Sequence, residues 1–370
     1  MKKDIPFNGD KWHLSEPFWR SKRIFGEPLF FIRENSDLPP KAQLIFRPTN
    51  ALQITSASRD VLYSETSDYI VDTDTETVTL PQGSKIPFTD KTDLYRNLQQ
   101  ERTIAHKLGK EEVGLYFSEG RYFHDLQAEA SYEHNSMWQH SEPKFQGDLL
   151  PTAVAKLEAG APLTICVCGD SISAGGNASG FTDAPPNMPP YPELFAEELR
   201  RRFQSQITLK SFAVGGKGVE HGLEVVDGMI EENPDLVLIA YGMNNVSYLP
   251  AAEYRDTVVQ IMNGIRAGIP TSEFILVASM LGNPEWEHTP TECFFPFRDV
   301  LKSLCTEGVA LADMTQVWAD LLQFKSYHDL TGNGVNHPND FCHRIYAQVI
   351  LDSLAKGVSP KKSNSLKDAV

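Results

Sequence analysis

The chain has 370 residues, 41% of them hydrophobic, with 49 acidic against 34 basic side chains and a formal net charge of −15. That length and apolar content allow two domains with sizeable cores and exclude a mainly disordered chain, while 25 Gly and 24 Pro exclude a collagen-like or low-complexity polymer. The negative charge, with no basic cluster beyond Arg200, Arg201 and Arg202, opposes binding to nucleic acid or an anionic membrane and leaves small neutral or polymeric substrates open.

The first residues, MKKDIPFNGDKWHL, carry two lysines with no apolar segment behind them. No apolar run in the chain approaches the roughly 18 residues that a membrane span needs. The expectation is a cytoplasmic protein, or a secreted one whose leader has been removed. Five cysteines, Cys166, Cys168, Cys293, Cys305 and Cys342, are odd in number and lack CxxC spacing. They fit a reducing compartment better than a disulfide framework or a zinc site.

From about Leu29 to Ser118 the apolar residues come in short runs, PLFFI, AQLIF, ALQIT, DVLYS and EVGLYFS, and DYIVDTDTETVTL partly alternates with period two. Strands with one wetted face follow, punctuated by Pro, Gly, Asn, Asp and Ser. This predicts a β-rich, sandwich-like domain over 1–150, with a helix over DLYRNLQQERTIAHKL. The stretch from about Tyr122 to Pro151 has no clear period and reads as a connection packed on both halves.

After Leu163 the pattern changes. LTICVC, ITLKSFAV, DLVLIAYG, EFILVASM and GVALADM read as five strands buried on both faces. Helix-like segments separate them, PELFAEELRRRFQSQ, VEHGLEVVDGMIEE, AAEYRDTVVQIMNGIRAG and FRDVLKSLCTEG, and a last helix is expected from about Asp340 to Leu354. Repeated β-α-β units imply an α/β fold, a doubly wound, parallel, five-stranded sheet over 151–356. A polar tail occupies 357–370.

Four segments fall where such a sheet places its ligands, beyond the carboxyl ends of the strands. Gly169-Asp170-Ser171-Ile172-Ser173 follows the first strand and exposes a serine at a sharp turn. AVGGKGVEHG follows the second. Its glycines miss GxGxxG by one residue and do not satisfy a P-loop, so Gly216 reads as a backbone donor and not as a nucleotide cradle. Tyr241-Gly242-Met243-Asn244-Asn245 closes the third strand, where a carboxamide can donate a fixed hydrogen bond. Asn333-Gly334-Val335-Asn336-His337-Pro338 enters the final helix with a histidine on the side where the serine stands. His221 and His343 lack HxxH or nearby carboxylate spacing, so no metal and no cofactor is expected.

In that order, Gly-Asp-Ser-Ile, a glycine after strand two, Gly-x-Asn after strand three and His-Pro before the last helix resemble the SGNH (GDSL-type) hydrolases, over about 162–355. The resemblance implies a flavodoxin-like sheet, Ser171 as nucleophile, His337 as general base, and an oxyanion hole formed by the amides of Ser171 and Gly216 with the side chain of Asn244. Two positions depart from the family's pattern. Gly334 stands where an Asp three residues before the histidine is usual, leaving Asn333, Asp329, Asp340 or a backbone carbonyl to orient the ring. Asn245 stands where an Asp is frequent. A sandwich joined to an SGNH domain is similar to two-domain carbohydrate acetylesterases. The expectation is therefore a serine esterase acting on a small-molecule or oligosaccharide ester, with acetyl the favoured acyl group. A lipase or thioesterase with a long acyl pocket, and a non-catalytic protein that kept the fold, are the alternatives. The sequence leaves the oligomeric state open.

Overall fold

The computed structural model describes residues 10–50, 52–107 and 112–355; the polar tail expected over 357–370 lies outside them. The N-terminal region is sheet-rich. Its strands are β1 (Arg23–Phe30), β2 (Ile32–Arg33), β3 (Lys41–Gln43), β4 (Gln53–Ser56), β5 (Ile70–Asp72), β6 (Thr77–Thr79), β7 (Thr89–Asp90), β8 (Tyr95–Asn97), β9 (Thr103–Ala105), β10 (Val113–Tyr116) and β11 (Gln127–Glu133). They form three small sheets, ordered β1-β11-β4, β8-β10-β9 and β5-β6-β3-β2-β7.

Three sequence expectations differ here. The helix predicted over DLYRNLQQERTIAHKL is one turn, Lys91–Leu94, followed by β8 and β9, which flank β10 in antiparallel register. Asn97 accepts from the Gln99 amide at 2.8 Å and Arg102 takes φ +57°, so turn chemistry ends the helix early. DVLYS contributes only an isolated bridge between Leu62 and Thr55. The stretch 122–151, expected to be a connection, contains β11, the central strand of its sheet.

The second half forms the predicted doubly wound sheet. Strands β12 (Leu163–Gly169), β13 (Ile207–Ser211), β14 (Leu236–Ala240), β15 (Glu273–Ala278) and β16 (Val309–Asp313) are all parallel, in the order β13-β12-β14-β15-β16. β14 and β15 are buried along their whole length, as helices on both faces require. The order reverses direction between β12 and β14, the crevice where such sheets bind ligands. The single helix predicted over VEHGLEVVDGMIEE is two, Glu220–Glu224 and Val226–Glu231, because Val225 at φ −106°, ψ 3° leaves helical geometry.

One contiguous hydrophobic cluster runs from Trp12, Trp19 and Leu29 through the strands of the parallel sheet to Leu354. Its axis is helix Asp340–Leu354, in which every residue is buried. A helix with no wet face needs cover all round. The first described segment supplies part of it: Trp19 Nε1 donates to Asp352 Oδ2 at 3.0 Å, and Gln348 Nε2 donates to the carbonyl of His13 at 3.2 Å. The five cysteines are unpaired, and among the described residues no helix is long and apolar enough to cross a membrane.

A fully buried ion pair also joins the halves. Lys325 Nζ lies 3.0 Å from Glu27 Oε1 and donates to the Gln43 carbonyl at 2.6 Å, while Glu27 accepts from Ile45 N at 2.9 Å and from the Tyr132 hydroxyl at 2.5 Å. Removing one partner leaves the other charged in a dry interior. Lys325→Ala is expected to lower the unfolding free energy by about 3–5 kcal/mol. Urea denaturation followed by fluorescence measures it, and a midpoint equal to that of the parent would show that the pair carries no such weight.

Candidate active site

Ser171 is the first residue of a short helix, Ser171–Ala174, directly after β12. Asp170 caps this turn, its Oδ1 accepting from the Ile172 amide at 3.0 Å. The loop after β13 passes beside the serine: a Cβ on Gly215 would stand 3.7 Å from Ser171 Cβ, and Gly216, at φ +74°, follows it on the exposed surface. Asn244, after β14, donates from Nδ2 to the Lys217 carbonyl at 2.9 Å, which ties the two loops together and uses one of its two N–H groups. Asn245 is buried, with Oδ1 accepting from Val219 N at 2.9 Å and Nδ2 donating to the Tyr248 hydroxyl at 2.7 Å and Glu220 Oε2 at 3.1 Å. It therefore braces the loop that carries Asn244.

His337 arrives from a loop wound by its own sequence. Asn333 Oδ1 accepts from the amides of Val335, Asn336 and His337 at 3.0, 3.0 and 3.1 Å, and Asn339 caps the following helix through Cys342 N at 3.2 Å. The result is a hydrogen bond of 2.8 Å between Ser171 Oγ and His337 Nε2. These two residues are 166 positions apart in the chain, and the structure brings them together.

The other ring nitrogen faces two acceptors that the sequence reading did not single out for this role. His337 Nδ1 lies 2.9 Å from Asn177 Oδ1 and 3.2 Å from Glu119 Oε2. The Asn177 amide has its orientation fixed, because Nδ2 donates to the carbonyls of Gly332 at 2.9 Å and Gly120 at 3.1 Å. With two oxygens opposite Nδ1, the proton sits there and Nε2 offers its lone pair to the serine hydroxyl. Glu119 belongs to the N-terminal region, and nothing in Ser118-Glu119-Gly120 distinguishes it from an ordinary surface turn. Asn177 lies six residues beyond the serine, in a sequence that reads equally well as a glycosylation sequon. The sequence-level alternatives are engaged elsewhere: Asp329 accepts from Phe30 N at 2.8 Å and Ser326 Oγ at 2.7 Å, and Asp340 Oδ1 accepts from Ser179 N at 2.7 Å.

No curated protein matches the chain. Residues 167–345, just under half of the chain, match the model of the GDSL-like Lipase/Acylhydrolase family, which supports a carboxylic ester hydrolase of the SGNH type. Among solved structures, the chain is similar to a two-domain esterase (CEX) active on acetylated mannans, crystallised with mannopentaose, at 18% identity and a TM-score of 0.44, over 56% of this chain and 53% of that one. It thus spans about half the length of that relative. It is also similar to the lipase Lip_vut3 from a goat rumen metagenome, at 14% identity and TM-score 0.42 over 51% and 95% of the two chains. A lipase/acylhydrolase from Enterococcus faecalis aligns at 17% identity and TM-score 0.42 over 54% and 100%.

Burial pushes the Asp170 carboxyl up from its ordinary 3.8 to about 6, although the Ile172 amide and the His337 charge pull it down. A carboxyl that holds its proton more tightly folded than unfolded stabilises the fold below pH 4, and that contribution is lost as pH rises through 6. At one unit per 1.36 kcal/mol the difference amounts to about 3 kcal/mol. Asp170→Asn keeps the capping oxygen and removes the charge, so its melting temperature should gain on the parent's between pH 5 and pH 8. Parallel thermal melts check this; identical pH dependence in the two proteins would contradict it.

Proposed function

We propose that the protein is a serine esterase that removes short acyl groups, acetyl foremost, from a carbohydrate or similar polar alcohol, through an acyl-enzyme on Ser171. The observation that carries this reading is the 2.8 Å contact of Ser171 Oγ with a His337 ring whose far nitrogen is held by acceptors. A serine hydroxyl is protonated at neutral pH and needs a base in reach. As Oγ attacks the ester carbonyl, its proton passes to Nε2. The negative oxygen that forms is received by the amides of Ser171 and Gly216 and by the Asn244 N–H not used by Lys217. The imidazolium then gives its proton to the departing alcohol. Water, deprotonated in turn by His337, releases the acyl group as a carboxylic acid.

One feature supports the substrate class. The glycine loop is open, and two aromatic side chains stand exposed at the rim, Phe181 at 63% and Tyr248 at 59%. Phe181 Cδ2 would lie 3.3 Å from a Cβ on Gly175, one turn beyond the serine, while the Tyr248 hydroxyl meets Asn245 beside the oxyanion loops. Flat apolar faces bearing little charge suit the C–H faces of sugar rings.

Ser171→Ala should abolish hydrolysis of p-nitrophenyl acetate with little change in melting temperature, and Asn244→Ala should lower kcat by about 10²–10³. Failure of a fluorophosphonate to label Ser171 in the folded parent would refute the catalytic reading, and activity peaking at eight or more carbons in an ester series would refute the short-chain part. For the sugar, Phe181→Ala is expected to raise KM for an acetylated oligosaccharide about fivefold, the worth of one aromatic contact, while sparing p-nitrophenyl acetate. Equal effects on both esters would remove Phe181 from substrate recognition.

A further inference from the structure

We infer that Glu119, reaching in from the N-terminal region, is the positioning carboxylate of the Ser171–His337 centre and does from another part of the chain what a residue three before His337 cannot do here. The inference rests on the esterase reading for its kinetic consequences and on geometry for its contacts.

Position 334 has no room for an aspartate. Gly334 takes φ +79°, and a Cβ there would stand 2.8 Å from Cζ and 3.2 Å from Cε1 of Phe123. That region of φ disfavours any side chain, and the ring in the way is fully buried. The backbone is pinned as well, with Gly334 N donating to Thr331 Oγ1 at 3.0 Å and its carbonyl accepting from Asn283 Nδ2 at 3.0 Å. Phe123 lies on helix Tyr122–Leu126, four residues past Glu119. One short stretch of the N-terminal region therefore fills the vacated side-chain position and delivers a carboxylate to the same imidazole.

Glu119 engages the loop at two points. Oε2 is 3.2 Å from His337 Nδ1, and Oε1 accepts from Asn333 Nδ2 at 3.4 Å. The next carbonyl, Gly120, accepts from Asn177, so residues 119–120 hold both partners of Nδ1. Burial pushes the Glu119 carboxyl up, but the hydrogen bond and charge of His337, with the bond from Asn333, more than offset it and hold the group below the usual carboxylate range. Asp170 and His343 also feel the His337 charge; His343 is buried with Nε2 3.2 Å from the Gly176 carbonyl. Asn177 and Glu119 divide the work. The amide oxygen, closer and neutral, selects the tautomer; the carboxylate supplies the charge that stabilises the imidazolium formed when Ser171 attacks.

The test is Glu119→Gln, which keeps size and hydrogen bonding and removes the charge. The expected result is a loss of about tenfold to hundredfold in kcat/KM on a short-chain ester, at or below the low end of a general acid–base contribution, with KM nearly unchanged. A structural role for Glu119 would not lower kcat at constant KM. An independent readout needs no turnover: the low-field proton resonance of His337 Nδ1–H, recorded in a Ser171→Ala background, should move upfield in Glu119→Gln. If kcat and the resonance both stay in place, the inference is wrong. If the parent neither hydrolyses esters nor reacts with fluorophosphonate, the esterase reading is wrong, and the resonance alone decides whether Glu119 holds the ring.

Discussion

The His337 ring is held from both edges, and most of the architecture serves that grip. Nε2 meets Ser171 at 2.8 Å, and Nδ1 meets Asn177 at 2.9 Å and Glu119 at 3.2 Å. These contacts come from the end of β12, the turn behind it and the N-terminal region. An imidazole free to rotate would offer the serine a lone pair only part of the time. Here Asn177 has spent its amide protons on two backbone carbonyls, so only its oxygen is left for the ring.

The same coupling recurs away from the site. Arg344, on the buried final helix, donates to the carbonyls of Phe25 at 2.5 Å and Gly26 at 3.2 Å. With the Lys325–Glu27 pair it makes polar contacts between the small sheets and the second half of the chain. Burying such groups is costly unless each finds partners in defined geometry, so they favour one arrangement of the two halves over its neighbours.

Much of this was legible in the residues themselves. Continuous apolar runs separated by helical spacing identify a parallel sheet, and in such a sheet the strand ends locate the site before any coordinate is known. Ser171, Gly216, Asn244 and His337 all lie at those ends. Glu119 was not legible, because its role depends on a contact across 218 positions, and local pattern carries no record of such contacts. The loss of aspartate at position 334 was visible as a gap, yet its cause, the ring of Phe123, is equally remote in sequence. The misread helix at 93–108 has a related origin. Its spacing of Leu and Tyr suits a helix, but pairing with β10 overrides local preference.

The final helix has a consequence for how this hydrolase could have been assembled in evolution. Apolar residues such as Phe341, Ile345 and Val349 are shielded on a helix that has no solvent face at all, and the first described segment helps to shield it. Cut free of the N-terminal region, the segment from Pro151 onward would display part of that surface to water and self-associate. The two halves are thus not interchangeable cassettes: a hydrolase of this kind could swap its partner only by rebuilding the seam on both sides at once.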